Sequence, residues 1–182
     1  FISQMIIDAL APTNTLIGNP TAQKRLVDSG GQSLIKGLKN AYNVMVHNDM
    51  MVSQVNKKPF KIGENIATSK GAVVYRDEMF ELVQYAPTTD KVYAVPQLTI
   101  PPQINKMYIN DLTPEKSVVK WQLDNGIQPF VISWRNPTAE QGNWGMGDYV
   151  DGCIRALDVI MEMTGSKTVN VSGACSGGQP MS

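Results

Sequence analysis

An excess of charge of either sign is missing from this sequence: sixteen Lys and Arg face sixteen Asp and Glu, for a formal net charge of zero. Nothing therefore marks it as a nucleic-acid binder, and no polybasic segment suits an anionic lipid surface. Histidine occurs once, at His47, and cysteine twice, at Cys153 and Cys175, with no CxxC spacing. Neither a metal site nor a disulfide framework is indicated, and a reducing, cytoplasmic setting is the default for such cysteine usage. Long apolar runs are absent too, since none approaches the ~18 residues of a membrane span. The opening "FISQMIIDALAPTN" has neither a basic n-region nor a clear cleavage site, which argues against a signal peptide. It begins on Phe1 instead of methionine, which suggests a start inside a longer protein.

What is present is enough apolar material for a core: 42% of 182 residues, room for one large domain or for a small one plus part of another. Residues 1–68 mix turn signals with short helical patterns and read as a mostly helical N-terminal region. Asn19 before Pro20 can start a helix. Gly30 and Gly31 then interrupt the run before a second helix carrying Leu34, Leu38, Tyr42 and Met45.

Residues 69–182 change character. "GAVVYRD" and "MFELVQYAP" read as an antiparallel hairpin joined at Asp77 and Glu78, and "VPQLTIPP" as a third strand closed by prolines. Thr113-Pro114 offers a cap and first turn for a helix holding Val118, Val119 and Trp121, which Gly126 ends. "IQPFVISW" is apolar enough for a strand buried on both faces. Asp148 can cap a helix whose Val150, Cys153, Ile154, Leu157, Ile160 and Met161 keep helical spacing, stopped by Gly165 and followed by the strand "TVNVS". Strand–helix alternation of this kind predicts an α/β fold with parallel strands and right-handed crossovers.

The run "TVNVSGACSGG" fits a nucleophile elbow: a strand, then Gly-x-nucleophile-x-Gly, then a helix. The central residue is strained, and the positions two away on either side must be small. Gly173 and Gly177 meet that demand around Cys175. A shifted frame with Ala174 and Gly178 around Ser176 meets it less well, and a plain glycine-rich turn would look the same in isolation. A thiol at such a turn suits acyl transfer. Its exchange with a thioester is nearly isoenergetic, so the acyl group stays activated for a hydroxyl acceptor, and a helix N-terminus beyond it favours the thiolate.

At this point a family resemblance appears. The stretches "PTNT", "SGGQSL", "GAVVYRDEMFELVQYAP", "IPPQINKMYINDLTPEKS", "FVISWRNPTAEQ" and "TGSKTVNVSGACSGG" run through nearly the whole chain. Together they resemble the polyhydroxyalkanoate synthases. "PPQINK", and "GACSGG" with alanine before the cysteine, point to the class II enzymes that polymerise medium-chain substrates. The resemblance implies the N-terminal part of an α/β-hydrolase fold behind a helical region, cut off just after its elbow. It implies an acyltransferase that builds polyester from (R)-3-hydroxyacyl-CoA, with Cys175 forming the acyl-enzyme. Coenzyme A is then part of the substrate, and no cofactor is expected. A homodimer and granule-associated proteins are the expected partners, at the surface of cytoplasmic storage granules.

The oxyanion of the tetrahedral intermediate requires the N–H after the nucleophile, which is Ser176, and one from the loop after the third strand. "PPQINK" offers Ile104 or Asn105, although the same loop also reads as a proline-stiffened strand exit. His47 precedes the elbow and reads as a surface or capping residue. Asp111, Asp148, Asp151 and Asp158 read as caps or solvated side chains. Cys153 belongs to a core stripe and Trp121 to the core, while Trp134 and Trp144 stay open between core and acyl pocket. With no glycine-rich phosphate loop, contacts to the nucleotide of coenzyme A stay unassigned.

The final "QPMS" departs from the family, in which an apolar helix continues, and the family's catalytic aspartate and histidine have no counterpart. The chain alone is therefore expected to be silent, with "IQPFVISW" and "TVNVS" as open, aggregation-prone edges. The alternatives are a thioesterase or esterase with a cysteine nucleophile, or an interaction module for self-association or granule proteins.

Overall fold

The computed structural model describes residues 2–48, 50–52 and 55–181; Phe1, Asp49, Ser53, Gln54 and Ser182 lie outside the described residues. The chain divides into two compact units, Phe1–Lys57 and Lys58–Ser182.

The first unit holds helices α1 (Ile2–Ala9), α2 (Pro20–Asp28) and α3 (Gln32–His47). Asn19 caps α2 as its sequence predicts, its side chain accepting the Ala22 N–H at 3.1 Å ahead of Pro20 in the first turn. The apolar residues of these helices stay open: Leu34, Leu38, Tyr42 and Met45 of α3 are all exposed.

The second unit is a five-stranded mixed sheet with helices on both faces. Its strands are β1 (Gly71–Arg76), β2 (Phe80–Tyr85), β3 (Gln97–Ile100), β4 (Pro129–Trp134) and β5 (Asn170–Gly173), in the order β1-β2-β4-β3-β5. Strand β2 runs antiparallel to both β1 and β4, whereas β3 pairs in parallel with β4 and β5. This is the α/β-hydrolase arrangement, with one reversed strand near the start.

Alternation along β4 divides the core. Phe130, Ile132 and Trp134 join Phe80, Leu82, Leu98 and Ile100 under α5 (Met146–Thr164), which contributes Cys153, Ala156 and Ile160. Val131 points the other way, with Val83 and Tyr85, against Val119 and Leu123 of α4 (Val118–Asp124). Burial on both faces explains why "PFVISW" is apolar at successive positions. Gly165 ends α5 with φ of 68°.

Several expectations need correction. Helix α4 begins at Ser117 and not at Thr113-Pro114: the Ser117 side chain accepts the Lys120 N–H at 2.8 Å, the stronger local cap. Starting there turns Trp121 outward, 61% exposed, so it is not a core residue. Ile154 leaves the stripe of α5 and is half exposed, because Gly152, Cys153, Ala156 and Ile160 form the packed face. Asp148 is not the cap residue itself; it sits in the first turn and accepts the N–H of Gly145 at 2.7 Å. "IQPFVISW" is no open edge, since β4 is paired on both sides. Only β5, of the two strands named as open, lies at the sheet's margin.

Asp111 is neither a helix cap nor a solvated side chain but the most buried carboxylate described, 1% exposed. It accepts the Ser69 N–H at 2.9 Å, the Ser69 hydroxyl at 2.8 Å and the Ser117 hydroxyl at 2.5 Å. Its own carbonyl accepts the N–H of Ala67 at 2.7 Å. A buried carboxylate is tolerable only with such a set of donors. Burial of the Tyr85 hydroxyl pushes it up to about 12, and the nearby Asp111 adds to the shift.

Candidate active site

Strands β1, β4, β3 and β5 share one direction, so their carboxyl ends gather on one side of the sheet. After β3 the chain leaves toward α4 on one face, and after β4 toward α5 on the other. The crevice opened where neighbouring connections diverge is the usual site of chemistry in open α/β sheets.

The β3–β5 register ends with Ile100 opposite Gly173, which sets the turn 173–177 beside the exit of β3. Thr99 Oγ1 and Ser172 Oγ meet at 3.3 Å one rung earlier. Cys175 then takes φ of 54°, the left-handed region that a non-glycine residue rarely occupies. The conformation persists because the turn is pinned: the Gly177 N–H donates to Ala174 O at 2.9 Å, and the Ala174 N–H to Ile100 O at 3.4 Å.

Both flanking glycines are sterically required. A Cβ on Gly177 would lie 2.3 Å from the Ile100 carbonyl oxygen and 2.7 Å from that of Pro101. A Cβ on Gly173 would lie 2.6 Å from the Gly177 carbonyl oxygen and 2.4 Å from Met181 Sδ. Gly178, the flank of the shifted frame, has nothing closer than 3.6 Å. The thiol and hydroxyl side chains of this turn also differ in presentation. Cys175 is exposed, whereas Ser176 Oγ is buried with no hydrogen-bond partner among the described residues. The segment beyond is a 3-10 helix, Cys175–Met181, in place of the α-helix expected after an elbow.

The loop after β3 runs from Pro101 to a short 3-10 helix, Met107–Asn110. Its first residue abuts the elbow, as the contacts at Gly177 show, and Ile104 and Asn105 follow as its exposed crest. Trp134, left open by the sequence, closes the carboxyl end of β4: its indole N–H donates to Pro101 O at 2.8 Å in a buried contact. The ring is held edge-on by Phe80 and Tyr149, with centroids 6.0 and 5.2 Å away. Trp144 meets Tyr149 edge-on at 6.4 Å and is only partly buried.

His47 ends α3 in the first unit, exposed and edge-on to Tyr42 at 5.8 Å. Asp151 and Asp158 are exposed on α5. Cys153 is in the core, where burial pushes its thiol up to about 11 and keeps it protonated and unreactive.

Comparison with known proteins fits this arrangement. The family model for the poly-beta-hydroxybutyrate polymerase (PhaC) N-terminus matches residues 1–122. The chain is 50% identical over 178 residues to poly(3-hydroxyalkanoate) polymerase 1 of Ectopseudomonas oleovorans, which covers 98% of this chain and 32% of that protein. Identity is 45% to polymerase 2 of the same organism, over 100% of this chain and 32% of that protein. It is 43% to the polymerase subunit PhaC of Cupriavidus necator, over 97% of this chain and 30% of that one. The chain thus spans about a third of the length of the curated relatives it matches. With its N-terminal 122 residues matched by the family model and its whole length matched by these polymerases, this chain belongs to the poly-beta-hydroxybutyrate polymerase family.

Proposed function

We propose that the intact enzyme is an acyltransferase that polymerises (R)-3-hydroxyacyl-CoA of medium chain length into polyester, with Cys175 as the acyl-carrying nucleophile. The observation that carries this reading is the exposed thiol at positive φ, on a turn whose two flanking glycines admit no side chain. A strained, over-determined turn at the carboxyl end of a hydrolase sheet is how such folds present a nucleophile.

In the proposed cycle the Cys175 thiolate attacks the thioester carbonyl, and the oxygen gains negative charge. That charge is met by the N–H of Ser176 and by a donor of the 101–106 loop, assigned to Ile104 or Asn105. Collapse of the intermediate expels coenzyme A as its thiolate and leaves an acyl-cysteine thioester. A hydroxyl, on the growing chain or on a second monomer, then attacks that carbonyl. An ester forms, and the Cys175 thiolate is released. The hydroxyl proton needs a base. His47, the one histidine of these 182 residues, precedes the elbow, whereas such folds place acid and base after the nucleophile, so the base and its aspartate partner are assigned to the part of the enzyme beyond this chain. This stretch alone is accordingly proposed to be inactive.

The test is a chimera in which this chain replaces the corresponding part of the 50% identical polymerase. Release of coenzyme A with formation of polymer is expected for the parent and for Ser176→Ala. Cys175→Ala is expected to abolish both. Polymer synthesis by Cys175→Ala would remove the assignment, and free 3-hydroxy acid as the parent's product would favour a thioesterase.

For the first unit the open apolar residues of α1 and α3, among them Ile2, Ile6, Leu38 and Tyr42, favour a role in association. We assign it to homodimer formation or to contact with granule proteins at the surface of cytoplasmic polyester granules. Deleting residues 1–57 from the chimera should then change its oligomeric state or its attachment to granules.

A further inference from the structure

Two successive prolines open the loop after β3. Neither Pro101 nor Pro102 has an N–H, so neither can donate to a neighbouring strand. The start of the loop must therefore be fixed through carbonyl groups and side chains. Two contacts do this, one at each end, and both come from the exit of β4. At the start, the indole N–H of Trp134 donates to the fully buried Pro101 carbonyl at 2.8 Å. At the end, the Lys106 ammonium donates to Asn136 Oδ1. Between these ties lie Ile104 and Asn105, and directly against the first lies the elbow, since a Cβ on Gly177 would stand 2.7 Å from the same Pro101 oxygen.

The Trp134 ring has little freedom of its own. Phe80 and Tyr149 contact it edge-on, and the backbone of α5 passes so close that a Cβ on Gly152 would lie 3.5 Å from its Cζ3. Because the proline ring fixes φ, a fixed Pro101 carbonyl also fixes the direction in which the loop leaves the sheet.

We infer that Trp134 and Asn136 are positioning residues: they clamp the 101–106 loop at both ends and so set the place of its oxyanion donor relative to Cys175. The inference rests on the Cys175 reading and goes beyond it by assigning roles to two residues that do not themselves touch the reacting atoms.

The experiment uses the chimera. Trp134→Phe keeps an aromatic ring and removes the N–H; Asn136→Ala removes the second tie from an exposed position, where the core is untouched. Each variant is expected to lower kcat for coenzyme A release by about 10- to 100-fold, as misplacing a catalytic donor by an ångström does. KM should stay within about twofold, because contacts that bind substrate and transition state alike are kept. Alkylation of Cys175 by iodoacetamide, read from the mass of its peptide, should keep the parent rate in both. That reaction displaces iodide from saturated carbon and develops no oxyanion, so it reports the presentation of the thiol alone. A parallel fall in alkylation would show a disturbed elbow and overturn the positioning role. Parental kcat in both variants would overturn it equally. Failure of the underlying reading shows separately, as activity of Cys175→Ala with Trp134 and Asn136 in place.

Discussion

Gly177 lies so close beneath Ile100 that a β-carbon on it would stand 2.3 Å from the Ile100 carbonyl oxygen. The exit of β3 and the turn after β5 therefore touch backbone to backbone, which is what gives the elbow its shape. In the chimera, Gly177→Ala and Gly173→Ala should each destabilise by about 1–3 kcal/mol or more through overpacking, and should reduce coenzyme A release at least 100-fold. Gly178→Ala, whose Cβ would meet only ordinary van der Waals contact with Gly173 at 3.6 Å, should change neither thermal midpoint nor rate.

Removing the Asp111 carboxylate strands three donors at once. Asp111→Ala should cost about 3 kcal/mol or more in chemical denaturation, since each neutral buried donor left without an acceptor costs about 1–3 kcal/mol. Asp111→Asn should cost less, since its amide oxygen still accepts. Ser117→Ala loses a helix cap and one ligand of the carboxylate, and about 1–2 kcal/mol is expected. If all three variants matched the parent, the cluster would have no structural weight.

Stability should fall on the alkaline side in two steps. Burial raises Cys153 from 9.0 to about 11 and Tyr85 from 10.0 to about 12, so the folded state holds protons that the unfolded state has lost. The contribution of each group is fully present below its unfolded value and disappears as pH rises through its folded value. The windows are therefore about pH 9–11 for Cys153 and 10–12 for Tyr85, each a loss on the order of 2–3 kcal/mol. Urea titrations from pH 8 to 12 check this. Cys153→Ala should flatten the lower window and Tyr85→Phe the upper, whereas unchanged slopes in both would refute the linkage.

The exposed face of α4 offers a contrast. Trp121 is largely solvent-accessible, so Trp121→Gln should leave the chimera's thermal midpoint nearly unchanged, within the ~0.5 kcal/mol typical of surface positions. A marked loss would mean that a segment beyond this chain packs on α4.

What the sequence disclosed divides along a physical line. The tight turn after β5 was legible because its requirements are local: a strand, a residue that tolerates strain, and small flanks two positions away, all within eleven residues. The β1–β2 hairpin and the buried β4 were legible because alternation and unbroken apolar runs report burial directly. Asp111 was not legible, since its burial depends on Ser69, 42 positions earlier, and no local pattern announces that donor. Trp134 stayed open for the same reason, its partner Pro101 being 33 positions away. Helix α4 was begun too early because Thr-Pro and Ser are both valid starts, and the fold uses the Ser117 cap, whose hydroxyl also donates to the buried Asp111. Trp121 followed that error to the wrong face.

The register that seats the elbow joins residues far apart in the chain: Thr99 and Ser172 face each other across 73 positions. Closing so long a span carries a large entropic penalty until the intervening β4 and α5 have docked, so β5 is expected to be secured last. As the chain emerges from the ribosome, Ile100, Pro101 and Trp134 are already made when Gly173 appears. The turn is shaped against supports that were built before it, and the protein acquires its architecture before the thiol proposed to act on substrate.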